Sequence, residues 1–351
     1  MNLEDLFHSF SDLDFEKHAL ALFQYQYEKN AVYRSFCDML KIKIEKITSL
    51  QQIPFLPISF FKTHSVKTGN FEPEIEFWSS GTTGNETSKH FVKEVSLYER
   101  SFLNTFEYFY GNPQDYCFLA LLPNYLEQKH SSLIYMMNQL ISGSKYAESG
   151  FYLYNYEELY KKMITLQEKR IKTILFGVSF ALLDFAEKFK SVSSMRGEVC
   201  GEWYAVNGVD VVDKYTCENP ELMVFETGGM KGRRPEIVKE ELHKILCNAF
   251  GVKKIHSEYG MCELLSQAYS NGDNLFVSPP WMRLLLRDEK DPLYCNPSLN
   301  TGVINVIDFA NIHSCAFIAT DDLGKKTTNG MIEILGRLDA AQIRGCNLMY
   351  W

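Results

Sequence analysis

The segment Ser79 to Gly84 reads SSGTTG and follows a short apolar run, Ile75 to Trp78. Its glycines let backbone N–H groups turn toward an anion, and the hydroxyls of Ser80, Thr82 and Thr83 add donors suited to phosphate oxygens. It is not the Gly-Lys-Ser/Thr loop of P-loop nucleotidases, because no Gly-Lys pair stands four residues after Gly81. Lys89 follows closely and could offset phosphate charge. Taken alone, such a stretch is an ordinary polar loop. Four later segments stand at strand ends in a fixed order: Glu226 to Gly229 (ETGG), His256 to Glu263 (HSEYGMCE), Thr320 to Gly324 (TDDLG) and Gly336 to Asp339 (GRLD). A last one is Arg344 to Asn347 (RGCN), whose Cys346 stands five residues before the final Trp351. Its Cys346 sits beside Gly345, a flexible joint, and beside Arg344, whose charge favours the thiolate.

The elements that carry these segments can be read from periodicity. Residues 3–47 have apolar positions at helical spacing (Leu13, Leu20, Phe23, Phe36, Leu40). Pro54 and Pro57 break the pattern after it. From about 90 to 260, strands and helices alternate. Tyr116–Leu122 reads as a strand, Asn155 as the cap of a helix to about Lys169, Lys172–Gly177 as a strand and Phe180–Phe189 as a helix. Leu222–Phe225 is the next strand. Pro235 suits the first turn of a helix ending at Phe250, where Gly251 stops it; Val252–His256 is a further strand. Alternation of this kind predicts an α/β fold with helices on both faces of a sheet. From 275 to 336 only short strands and turns remain, predicting a smaller β-rich part. The expected division is residues 1–270 as the α/β body and 271–351 as the β-rich subdomain with a short C-terminal hinge-like segment.

Composition narrows the function classes. Of the 351 residues, 46% are hydrophobic and 23% charged, near the average of globular proteins, which excludes a disordered or fibrous chain. The formal net charge of −8, without a basic tract, argues against nucleic acid and anionic membrane as partners. The apolar runs, such as Phe118–Leu122, are too short to span a bilayer. The nine cysteines include no CxxC pair, and the N-terminus lacks a basic start and apolar run, so a reducing cytoplasm is expected. The eight histidines show no HExxH, and His130 and His256 near the motifs read as surface or core residues. Gly177-Val-Ser179 is half a nucleophile elbow: Ala181 replaces the second glycine, and Ser179 reads as a helix cap. Tyr152, Tyr154, Tyr156 and Tyr160 read as packing. Lys239, Glu240 and Glu241 read as a solvated face.

The order and spacing of the SSGTTG loop and the four strand-end segments resemble the adenylate-forming (ANL, acyl-CoA ligase-like) superfamily. IPFLPISFFKTH (53–64), LLPNYLEQKHSSLIYM (121–136), ETGGMKGR (226–233) and RGCNLM (344–349) resemble, within it, the LuxE-type acyl-protein synthetases, over roughly residues 10 to 351. The resemblance implies an ANL-type N-terminal domain without the C-terminal lid. It implies ATP and Mg²⁺ as cofactors, with nucleotide contacts from Ser80, Gly81, Thr82, Thr83, Gly84, Gly228, Gly229, Tyr259 (adenine), Gly260, Asp322 (ribose) and Arg337. Glu263 matches the metal-binding acid, a hard oxygen ligand that suits Mg²⁺ on phosphates. Cys346 matches the acylated cysteine, making Cys346, Lys89 and Glu263 the candidate catalytic residues.

Three departures from the wider superfamily matter. Cys262 stands where Thr contacts the α-phosphate, and a thiol is a weaker donor, so slower adenylation or a replaced contact is expected. Asp321 stands where Gly is usual, leaving open which aspartate meets the ribose. With the lid and its lysine missing, Lys89, Lys231 or Arg233 would have to offset the developing phosphate charge. The implied activity is ATP-dependent activation of a carboxylic acid, a fatty acid above all, as acyl-AMP. Transfer to a cysteine thiol of the protein follows, for delivery to an acyl reductase or transferase partner. An acyl-CoA ligase and a non-catalytic nucleotide-binding scaffold are the alternatives.

Overall fold

A computed structural model describes residues 6–8, 10–79, 87–123, 130–195, 203–206, 209–212, 220–230, 233–235, 237–293, 295–329 and 331–338. The helices are α1 (Asp12–Lys29), α2 (Ala31–Met39), α3 (Phe60–Thr63), α4 (Val95–Tyr110), α5 (Ser132–Gly143), α6 (Tyr156–Glu168), α7 (Ser179–Met195) and α8 (Lys239–Phe250). The strands of the first half are β1 (Leu56–Pro57), β2 (Ile75–Trp78), β3 (Lys89–Val92), β4 (Cys117–Leu121), β5 (Gly150–Tyr152), β6 (Thr173–Val178), β7 (Trp203–Val206) and β8 (Val209–Val212). Those of the second half are β9 (Leu222–Thr227), β10 (Ile255–Tyr259), β11 (Ala268–Ser270), β12 (Leu275–Val277), β13 (Met282–Arg287), β14 (Thr301–Asp308), β15 (Phe317–Lys326) and β16 (Ile332–Arg337).

The expected α/β fold is present. Strands β5, β4, β6, β9 and β10 lie side by side and parallel. Both β4 and β6 are buried along their whole length, as their unbroken apolar runs require of parallel strands covered on both faces. The short strands after residue 275 do not close on themselves. They extend the same sheet through β11 and β12 in the order β12, β16, β15, β14, β13, all antiparallel. The N-terminal helices cover this second half. Phe15 of α1 stacks on Phe309 at 4.4 Å, and Tyr33 of α2 on Phe317 at 6.0 Å. Fully burying one such ring is worth about 1.5–3 kcal/mol.

Local signals explain most boundaries. Ser11 accepts a hydrogen bond from the Asp14 amide and caps α1, with Asp12 and Asp14 in the first turn and Lys29 in the last, matching the helix dipole. Gly251 stops α8 in the left-handed region at φ 64°. Two expectations need correction. Helix α8 starts at Lys239, so Pro235 stands before it rather than in its first turn. Asn155 occupies the N-cap of α6 without a side-chain bond to the helix.

Candidate functional site

The carboxyl end of β10 meets β15, and there three of the motif segments come together. Tyr259, the last residue of β10, donates its hydroxyl to Asp322 Oδ2 at 2.8 Å. Asp322 lies opposite Arg337 in the β15–β16 register, with Arg337 Nε 3.8 Å from Oδ1 and its side chain largely exposed. Burial raises the Asp322 carboxyl, and the Tyr259 bond and Arg337 charge work against that rise. Burial and the Asp322 charge push the Tyr259 hydroxyl well up, so it stays a donor. Asp322 is further held by Thr320, whose hydroxyl accepts from the Asp322 amide at 3.2 Å and donates to the Ile304 carbonyl at 2.8 Å. Asp321 is exposed, and its charge acts on the buried Arg287. Of the two aspartates, Asp322 is the one at Tyr259.

The turn after Tyr259 is tightly fixed. A Cβ at Gly260 would meet Glu258 Oε1, so a larger residue there would require the Glu258 carboxylate to move. The Cys262 carbonyl accepts from His90 Nδ1 at 2.8 Å, and the Glu263 carbonyl from Asn311 Nδ2 at 2.8 Å. The Leu265 and Ser266 amides donate to Asp308 Oδ2 at 3.1 and 2.9 Å. Burial and then the Glu263 carboxylate push the Cys262 thiol well up, so it is a neutral thiol. Glu263 itself is 5% exposed. Among the described residues no group of three or more His, Cys, Asp or Glu is arranged to hold a metal. A single buried carboxylate fits Mg²⁺ of the kind that takes most of its remaining ligands from substrate phosphates and water.

Strands β2 and β3 form a hairpin, with Trp78 opposite Lys89. Ser79 and Ser88 close its base: the Ser79 amide donates to the Ser88 carbonyl at 3.0 Å and the Ser88 amide to Ser79 Oγ at 2.9 Å. Consecutive strand residues face opposite sides. His90 therefore points inward to Cys262, while Lys89 is exposed, its ammonium 5.1 Å from the Trp78 ring. Trp78 in turn stacks on His130 at 4.0 Å. The hairpin thus ties the base of the Gly/Ser/Thr segment to the Glu263 turn. Ser80, Gly81, Thr82, Thr83 and Gly84, like Lys231 and Cys346, lie outside the described residues.

Sequence reasoning missed a buried charge beside the site. Glu226, at the end of β9, is 1% exposed. It receives Lys239 Nζ at 2.9 Å, Ser257 Oγ at 2.6 Å and Ser179 Oγ at 2.9 Å, with His243 Nε2 at 3.6 Å. Burial alone would raise its carboxyl, but Lys239, His243 and Ser257 hold it down at about 2. Glu258, beside it on β10 but on the other sheet face, is the reverse case. Burial raises it to about 7, against the hydrogen bond from Thr227 Oγ1. The signal for Glu226 was present in LMVFET: an acid in an otherwise apolar buried strand demands a partner. Two readings change accordingly. Lys239 is no solvated charge, since it binds Glu226 and lies 4.7 Å over Phe276, the ring that meets Tyr259 edge-on at 6.1 Å. Ser179 is the first residue of α7 rather than its cap, and its hydroxyl is buried on Glu226.

The remaining residues fall in place. Gly228 uses the left-handed region at φ 68°, turning the chain into Gly229 after β9. His256 is a core residue, stacked on Phe225 at 4.7 Å, and burial lowers it to about 4. Tyr152 and Tyr160 are buried packing, whereas Tyr154 is exposed. The exposed Arg233 lies 5.1 Å over Phe180. No helix among the described residues is long and apolar enough to cross a membrane.

With this geometry in view, the comparisons with known proteins agree. The family model "Acyl-protein synthetase, LuxE" matches residues 9–118. A long-chain-fatty-acid–luciferin-component ligase of Vibrio harveyi is 22% identical over 350 residues, covering 93% of this chain and 84% of its own. The likeness is to the LuxE acyl-protein synthetases. A second such ligase, of Photorhabdus luminescens, is 39% identical over 71 residues, which are 20% of this chain and 60% of that one. Among solved structures, ATP-bound MatB from Rhodopseudomonas palustris superposes with a TM-score of 0.50 at 17% identity, covering 76% of this chain and 49% of that chain. An ATP-bound RpMatB-BxBclM chimera gives 0.50 at 17%, covering 77% and 49%. The LuxE-like chain therefore has the fold of an adenylate-forming N-terminal domain and spans about half the length of these solved structures.

Proposed function

We propose that this LuxE-like protein is an ATP-dependent acyl-activating enzyme. Its carboxylic acid substrate, a long-chain fatty acid by analogy with the Vibrio relative, attacks the α-phosphorus of ATP through a carboxylate oxygen. Pyrophosphate leaves and acyl-AMP forms. A cysteine thiolate of the protein then attacks the acyl carbon, AMP leaves, and a thioester remains for an acyl reductase or transferase to collect. The reading places the enzyme in the cytoplasm. One observation carries it: through the Tyr259–Asp322 and His90–Cys262 bonds, the hairpin of the Gly/Ser/Thr segment, the Tyr-Gly-x-Cys-Glu turn and the Thr-Asp-Asp strand converge at the carboxyl ends of parallel strands. That is where ligands of open α/β sheets bind.

In this reading Tyr259 offers its ring to the adenine while its hydroxyl orients Asp322 toward the ribose. Gly228 and Gly229 leave room for the nucleotide to approach the backbone. Glu263 would hold Mg²⁺, which when bound neutralises charge on the phosphates. Lys89 and Arg337, both exposed at the rim, supply cationic charge to the triphosphate. The six described cysteines are poor acceptors. Burial raises Cys37 to about 12 and Cys117 and Cys295 to about 11, and pushes Cys247, Cys262 and Cys315 upward as well. Of the three cysteines outside the described residues, Cys200, Cys217 and Cys346, the LuxE resemblance of the Arg344–Asn347 segment gives the acceptor role to Cys346. Carboxylate-dependent exchange of labelled pyrophosphate into ATP tests the activation step. Its absence with fatty acids of every chain length would refute the proposal.

A further inference from the structure

The hydrogen-bond chain behind Glu263 runs through one side chain of the neighbouring hairpin. His90 is 1% exposed, and both of its ring nitrogens are within hydrogen-bond distance of a partner. A carbonyl oxygen can only accept, so Nδ1, 2.8 Å from the Cys262 oxygen, carries the proton. Nε2 is then an acceptor, and the Ser314 hydroxyl 2.8 Å away donates to it. The ring also meets Phe61 edge-on at 5.7 Å.

Ser314 belongs to a turn fixed from the N-terminal helices. Gln26 Nε2 donates to the Asn311 and Ile312 carbonyls at 3.0 and 3.1 Å, and Gln26 Oε1 accepts from the Ala316 amide at 2.9 Å. Asn30 Nδ2 and Thr68 Oγ1 donate to the Ser314 carbonyl at 2.8 and 2.5 Å. The same turn holds the Glu263 carbonyl through Asn311 and the next amides through Asp308. His90 is thus the link that joins the hairpin to an already immobilised frame. A buried, fully partnered network of this kind fixes one arrangement of the segments it joins.

We infer that His90 is a positioning residue that locks the Glu263 turn against the β2–β3 hairpin and so fixes where the Glu263 carboxylate is presented. The inference rests on the adenylation reading. A misplacement of about 1 Å in such a site can cost about 100-fold in rate. His90 touches neither substrate nor metal itself. Its loss should therefore appear in how tightly Mg²⁺ and nucleotide are held together, whereas a merely structural residue would lower stability and active fraction alone.

The test uses the full chain and two readouts. One is the Mg²⁺ concentration for half-maximal ATP–pyrophosphate exchange. The other is the calorimetric Kd of the non-hydrolysable α,β-methylene-ATP with Mg²⁺. His90→Leu should raise both about tenfold, or about 1.4 kcal/mol. His90→Asn, whose amide N–H can take the place of Nδ1–H, should stay within about threefold of the wild type in both. Ser314→Ala, which removes only the Nε2 partner, should raise both about threefold and keeps the test alive if His90→Leu does not fold. Wild-type exchange with unchanged values in the folded variants overturns the inference while leaving adenylation intact. So does an Asn variant as impaired as the Leu variant. A wild type that neither exchanges pyrophosphate nor binds the analogue overturns adenylation, and this inference with it.

Discussion

Tyr259 and Asp322 stand 63 positions apart in the chain, yet the tyrosine hydroxyl donates to the carboxylate at 2.8 Å and joins the end of β10 to β15. A hydrogen bond to a charged group is worth about 1.5–3 kcal/mol. Tyr259→Phe keeps the ring for stacking but leaves Asp322 without this donor. The expected outcome is an ATP KM raised about 10-fold or more with fatty-acid KM unchanged. Asp322→Asn should act in the same direction, and Asp321→Asn should have little effect, because the Tyr259 hydroxyl bonds Asp322 while Asp321 is exposed. Steady-state exchange kinetics with ATP as the varied substrate check all three. A larger effect at Asp321 than at Asp322 would reverse the assignment.

Glu263→Gln preserves size and removes charge. If the carboxylate holds Mg²⁺, exchange should fall about 100-fold or more, the scale of losing a major electrostatic contact. The Asn311 bond goes to the Glu263 backbone carbonyl and survives the change, so the melting temperature should stay close to that of the wild type. Chelation of Mg²⁺ should abolish wild-type exchange, and excess Mg²⁺ should partly rescue the variant. Full activity in the variant would remove Glu263 from the metal site.

Part of this was legible in the sequence, and the reasons differ by residue. The parallel strands β4, β6 and β9 are apolar on both faces, so their runs stand out without any knowledge of neighbours. Helix α8 ends where Gly251 says it must. Pairing partners were not legible. Nothing local to Glu226 names Lys239, Ser179 or Ser257, because β6, β9 and β10 bring them together only when their registers are set. For the same reason Lys239 read as a solvated charge and Ser179 as a cap. Helical spacing marks Phe23 as core-facing, but nothing local shows that the polar Gln26 is buried against the turn from Asn311 to Ala316. The choice between Asp321 and Asp322 needed the alternation of β15 against β16, which a one-residue slip would have inverted.

The Glu226 carboxyl gives a stability prediction with a definite sign. Its folded value, about 2, lies below its ordinary value of 4.5. The native state therefore binds this proton less readily than the unfolded chain does. The stabilisation is present above the ordinary value and is lost as pH falls through about 2. Glu226→Ala strands Lys239, Ser179 and Ser257 and should cost about 3 kcal/mol at pH 7, the lower end for breaking a buried pair, since Lys239 can regain some water. The deficit should shrink as pH falls from about 4.5 toward 2. Chemical denaturation at several pH values measures it. A deficit that is the same at pH 7 and pH 2.5 would mean that Glu226 is not ionised in the fold.

The identity of the acyl acceptor is the sharpest of these predictions. A thiol transfers acyl groups as its thiolate, and burial raises the thiols of all six described cysteines. Of the six described cysteines, Cys262 is the one in the turn between Tyr259 and Glu263, yet the Glu263 carboxylate beside it disfavours a second negative charge. In Cys346 the thiol has Arg344 two residues away, which favours the thiolate. Incubation with ATP and labelled long-chain fatty acid should leave a protein-bound label that hydroxylamine releases. Cys346→Ser should abolish the label and leave pyrophosphate exchange within about twofold, because the acceptor acts only after the anhydride has formed. Cys262→Ser should retain the label, and its hydroxyl is a better donor to phosphate, so exchange should hold or rise. Loss of label in the Cys262 variant, with retention in the Cys346 variant, would move the acceptor into the turn itself. Label appearing only on added CoA would instead make the protein an acyl-CoA ligase.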